Sequence, residues 1–126
     1  MSYEHIPDTV RTLIADRLDS VPELEAVLLL RQDATHEWTP DEAGRRLYVS
    51  TTVAAHVLAQ LHAHGFLTER AGAYRYAPHG PAIADAVDQL ATTWARHLVA
   101  VTNLIHAKAS PNARAFADAF RFRKPT

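Results

Sequence analysis

At 126 residues the chain has the size of one domain, and at 48% hydrophobic it can close a core, which excludes a chain disordered beyond its ends. It has no cysteine, which excludes disulfide frameworks, thiolate metal sites and cysteine catalysis, and no run approaches the roughly 18 apolar residues of a membrane span. The net charge of −1 hides an asymmetry: residues 1–69 carry five basic and eleven acidic side chains, residues 70–126 eight and three, so any polyanion must be met largely by the second half.

The opening MSYEHIPDTV lacks the basic start and apolar stretch of a signal peptide, which leads us to expect a soluble, cytoplasmic protein. Eleven arginines against two lysines, with abundant alanine, suit a GC-rich genome, such as many bacteria have. Pro7 and Asp8 start a first helix, on which Val10, Leu13, Ile14 and Leu18 recur at helical spacing. Ser20 is placed to cap a second helix, with Glu23 in capping-box position. Leu24, Val27 and Leu28, widened by Leu29 and Leu30, mark that helix as central. Residues 32–38 are polar and irregular and read as a loop.

Thr39, Pro40 and Glu42 open a third, short helix: the threonine caps, the proline takes the first helical position, and the glutamate returns a bond to the cap. The helix ends near Leu47, and Tyr48-Val49 breaks the chain. Ser50 caps a fourth helix, Thr51 to His64, which Gly65 terminates in the left-handed conformation. Two helices joined by so short a turn form a helix-turn-helix. Residues 66–70, the turn Ala71-Gly72 and residues 73–77 then read as a β-hairpin, the order of elements in a winged helix.

Residues 39–77, TPDEAGRRLYVSTTVAAHVLAQLHAHGFLTERAGAYRYA, resemble the core of winged helix-turn-helix transcription regulators of the broad MarR-like and ArsR-like group. Ala43 falls where the two helices pack closely, and Val49 falls in the turn. Val53, Val57, Leu58 and Leu61 fall on the buried stripe, and Gly65-Phe66-Leu67 at the entry to the wing. The resemblance implies a mainly α fold with a short two-stranded wing, and a recognition helix read into the DNA major groove. Ser50, Thr51 and Thr52 would then meet phosphates, Gln60 an adenine, Ala55 and Ala59 thymine methyls, and His56 a phosphate or a base. His62 and Ala63 share this outward arc. The arc holds no arginine or lysine, a departure from the commonest specific contact, arginine to guanine. Arg45 and Arg46 beside the helix, and Arg70 and Arg75 on the wing, are the expected backbone contacts.

Pro78-His79-Gly80-Pro81 forms a rigid link to a long C-terminal helix over about 81–108, roughly 40 Å at 1.5 Å per residue. Its seam of Ile83, Val87, Leu90, Trp94, Leu98, Val101 and Ile105 either joins two chains in a homodimer, as palindromic sites require, or packs back as core. Ser110-Pro111-Asn112 restarts a short helix carrying Phe116 and Phe120, and Arg121-Phe122-Arg123-Lys124 ends the chain as a basic, aromatic tail. The expected organisation is one compact domain, with a winged core at 1–80 and a dimerisation or docking element at 81–126.

The eight histidines form no HxxxH or HExxH pair, so no metal is expected. The four glycines do not cluster into a phosphate loop, and no nucleophile setting or cofactor motif is visible, so no enzyme and no cofactor are expected. Two functions remain. One is a homodimeric regulator of double-stranded DNA. The other is an interaction adaptor that docks a protein through the neutral recognition face or through the tail.

Overall fold

The computed structural model describes residues 6–109; the tail residues Phe116, Phe120, Arg121, Phe122, Arg123 and Lys124 lie outside them. The described chain is mainly helical, with one small antiparallel hairpin. In order it forms α1 (Asp8–Arg17), α2 (Val21–Gln32), α3 (Pro40–Leu47), α4 (Thr51–Ala63), β1 (Leu67–Arg70), β2 (Ala73–Tyr76), α5 (Pro81–Arg96) and α6 (Leu98–Ala109). No helix among the described residues is long and apolar enough to cross a membrane.

Serine and threonine caps set three helix starts. Ser20 Oγ accepts from Glu23 N–H, Thr39 Oγ1 from Glu42 N–H and Ser50 Oγ from Val53 N–H, at 3.1–3.2 Å. The expected return bonds go elsewhere. Glu23 Oε1 accepts from Asp19 N–H, one residue before the cap. The Glu42 carboxylate meets His36 Nε2 at 2.8 Å instead of the cap backbone.

One core joins all six helices and the hairpin. Val10, Leu13 and Ile14 of α1, Leu24, Val27 and Leu30 of α2, and Leu58 and Leu61 of α4 are buried in it with Phe66 and Leu67. Arg17 and His64 clamp α1 to the end of α4: the Arg17 guanidinium donates to the His64 carbonyl, and His64 Nδ1 donates to the Arg17 carbonyl at 2.8 Å.

The loop before α3 does more than its polarity announces. Trp38 is almost fully buried and exchanges two backbone hydrogen bonds with Tyr74, at 2.7 and 2.8 Å, adding a single bridge to the edge of the hairpin. β1 and β2 pair in the register Leu67 to Tyr76 and Arg70 to Ala73. Ala71 and Gly72 both have positive φ, 52° and 82°, which suits a two-residue turn matched to strand twist.

The long C-terminal helix is corrected. The chain breaks at His97 (φ −133°, ψ 48°) and returns as α6. A straight helix would carry its last turns past the body, whereas the break lets Val101 and Ile105 bury completely. α6 packs on α1 and α2. Lys108 Nζ closes the corner, donating to the Ile14 carbonyl at 2.6 Å and the Leu18 carbonyl at 3.1 Å and pairing with Asp19 at 2.6 Å. A cation there adds a second bond to the Ile14 carbonyl, which already accepts from Leu18 N–H, and takes up the Leu18 carbonyl just past the end of α1.

Candidate nucleic-acid interface

The candidate interface is built on α4, and α3 sets its position. Gly44 is the contact point: a methyl group added there would lie 2.9 Å from the Val49 carbonyl oxygen and 3.4 Å from the Ala54 Cβ. The two helices therefore approach at backbone distance, with Ala43 and Ala54 buried beside the glycine. Tyr48 ends α3 in the left-handed conformation (φ 61°, ψ 39°), and its ring is 94% exposed. An aromatic residue held there is a strained position.

The buried stripe of α4 is Ala54, Val57, Leu58 and Leu61. Val53, expected in that stripe, is instead 44% exposed, because the close approach at Gly44 admits only the smaller Ala54. Ser50, Thr51, Thr52, His56, Ala59, His62 and Ala63 are exposed, and Ala55 and Gln60 are half-buried. These residues form one uncharged face with Val53 among them. The His62 ring stands edge-on to Tyr74 of the hairpin, with centroids 6.0 Å apart.

The flanking arginines are not equivalent. Arg45 pairs with Asp41 one turn earlier, and the other Asp41 oxygen accepts from Thr51 Oγ1 at 3.2 Å. Arg46 lies over the Trp38 ring, 5.5 Å from its centroid, a cation–π geometry that fixes where its charge sits. Arg70 pairs with Glu37 at 2.9 Å. Arg75 is exposed and has no ion pair among the described residues. Glu37, Arg70 and Arg75 line one shallow depression on the hairpin, of about 340 Å³. Glu69 of β1 also lines it, and its carboxylate accepts from the Gly72 N–H at 2.8 Å and so holds the turn.

Tyr76, at the base of the hairpin, faces inward. Burial pushes its phenol up to about 12, Asp88 adds to the rise, and Arg31 opposes it. Arg31 of α2 and Asp88 of α5 pair at 2.9 Å, so this tyrosine lies where the hairpin, α2 and α5 meet.

The expected dimer seam is divided. Val87, Leu90, Val101 and Ile105 are completely buried within the chain, and Ile83 and Trp94 are half-buried. Leu98 alone is mostly open at 52%, beside Val99 at 68%, and both stand at the α5–α6 corner. A shared surface therefore has this corner at its disposal and not the whole seam. Among the described residues no group of three or more His, Asp or Glu side chains is gathered as a metal site.

Three features escaped the sequence reading. The Asp41–Arg45 pair had a signal, the i,i+4 spacing on one helix. The Glu37–Arg70 pair and the Arg46–Trp38 stack join residues distant in sequence and had none. No family model matches the chain, and no curated protein or solved structure matches it.

Proposed function

We propose that the chain is a winged helix-turn-helix regulator that binds double-stranded DNA, with α4 in the major groove and the β1–β2 hairpin against the backbone. The observation that carries this reading is the uncovered face of α4. Thr51, Thr52, Val53, His56 and Ala59 stand exposed on a helix fixed from behind by the Gly44 contact, with arginines on both flanks. The order α3, turn, α4, hairpin and the Trp38–Tyr74 bridge at its edge support the winged-helix assignment.

In this reading Ser50, Thr51 and Thr52 donate to backbone phosphate, with the α4 N-terminus behind them. Gln60 and His56 offer polar groups to base edges, and Val53, Ala55 and Ala59 offer apolar contact to thymine methyls. Arg46 and Arg75 supply positive charge with no ion pair to a carboxylate among the described residues. A homodimer on a palindromic site would pair through the Leu98–Val99 corner, where apolar side chains are left open.

One observation favours a protein-docking adaptor instead. The α4 face is uncharged, and Tyr48, Leu98 and Val99 are apolar groups in solvent. Selection from a random duplex pool at low and moderate salt separates the two. The regulator enriches a motif with two half-sites, and its binding weakens with salt. An adaptor enriches none.

A further inference from the structure

Two of the four flanking arginines are already engaged by the protein's own carboxylates. Asp41 holds the Arg45 guanidinium with one oxygen and the Thr51 hydroxyl with the other. Those two donors are ones the DNA-binding reading assigns to the backbone. Glu37 holds Arg70 through both of its oxygens, at 3.0 and 2.9 Å, in the depression that Arg75 also lines. A carboxylate presents two oxygens to a guanidinium much as a phosphate does. Both guanidinium groups remain largely exposed, so each pair is weakly held and exchangeable.

We propose that Asp41 and Glu37 are internal competitors for phosphate. In the free protein they occupy Arg45, Thr51 and Arg70. Duplex DNA forms its contacts on the two sides of α4 only by exchanging these pairs, and the displaced carboxylates then stand close to the phosphates and repel them. Without such exchange, of the four flanking arginines Arg46 and Arg75 face a polyanion with no carboxylate pair among the described residues, and non-specific attachment is correspondingly weak. The two pairs lie on different elements, one along α3 and one between the pre-α3 loop and β1, so each acts separately. This inference rests on the DNA-binding reading.

The test is DNA affinity by fluorescence anisotropy on a fixed labelled duplex, over salt from about 50 to 200 mM, for the wild type, Asp41→Asn, Glu37→Gln and the double variant. Each substitution is expected to tighten binding about three- to tenfold and to steepen the dependence of log K on log salt by about 0.9, one phosphate contact's worth. Asp85→Asn makes the same charge change at an exposed position of α5, an element that carries none of the flanking arginines, and is expected to alter affinity by less than about twofold. Thermal unfolding runs alongside. Asp41 lies in the first turn of α3, where a carboxylate is favoured, so Asp41→Asn is expected to leave the melting temperature unchanged or lower it. Tighter binding without greater stability is not a folding effect. If wild type binds DNA and the variants match it in affinity and slope, the competition is wrong and the DNA reading stands. If Asp85→Asn tightens binding as much as the others, net charge is the cause and the competition is wrong. If no form binds duplex, the DNA reading falls and takes this proposal with it.

Discussion

Two of the corners between neighbouring helices, α3–α4 and α5–α6, are held by different forces. Between α3 and α4 the residues of the corner do the work: Ser50 caps α4, Gly44 admits the Val49 carbonyl, and Tyr48 takes the left-handed turn. Between α5 and α6 there is no glycine or proline. That corner exists because Val101 and Ile105 reach the core and Lys108 ties the far end of α6 to the carbonyls of α1. A corner built from its own residues can present a fixed outer surface. Both corners leave large side chains outside, Tyr48 at the first and Leu98 and Val99 at the second.

The comparison breaks first at α6. Ile105→Ala is expected to lower unfolding free energy by about 2–5 kcal/mol, read by urea denaturation, because the cavity opens in the part of the core that holds the corner. A loss near zero would mean that α6 does not hold its corner by burial. Gly44→Ala comes next. In an exposed helix interior this change stabilises by up to about 1 kcal/mol, but here the new methyl meets a backbone oxygen that cannot swing away. A net loss of about 1–3 kcal/mol is expected in the same measurement. A gain would show that α3 and α4 have room to separate. Tyr48→Gly relieves the left-handed strain and is expected to raise stability by about 1 kcal/mol in thermal unfolding. Unchanged stability would mean that the tyrosine ring is held by contacts that offset its backbone.

The smallest handle is alkaline pH. Tyr76 favours its neutral form in the fold, with its pKa raised from 10 to about 12. Its contribution is therefore fully present below pH 10 and is lost as pH rises towards about 12. Stability followed across that window should fall less steeply in Tyr76→Phe than in the wild type. Equal slopes would place the alkaline sensitivity elsewhere.

The difference between the corners also explains what the sequence disclosed. The starts of α2, α3 and α4 were legible because a capping serine or threonine acts within three residues. The α4 face was legible from helical periodicity, except at Val53, whose exposure depends on how close α3 comes. The break at His97 was not legible, since the apolar period continues through it and the contacts of α6 with α1 and α2 lie far away in sequence. Trp38 was hidden for a similar reason: its polar neighbours suggest a loop, and its partner Tyr74 is far along the chain. Of the interface, the sequence located the arginines but not their partners. Asp41–Arg45 follows a local spacing, whereas Glu37–Arg70 exists only once the hairpin is docked.

The central claim is that the outer face of α4, with the hairpin beside it, is the surface that meets DNA. Amide chemical-shift mapping of the isotope-labelled chain during titration with a selected duplex tests it most directly. The account predicts the largest shifts at Thr51, Thr52, His56, Gln60 and Arg75, with Val101 and Ile105 unmoved. Shifts gathered at Trp94, Leu98 and Val99, with α4 silent, would contradict it.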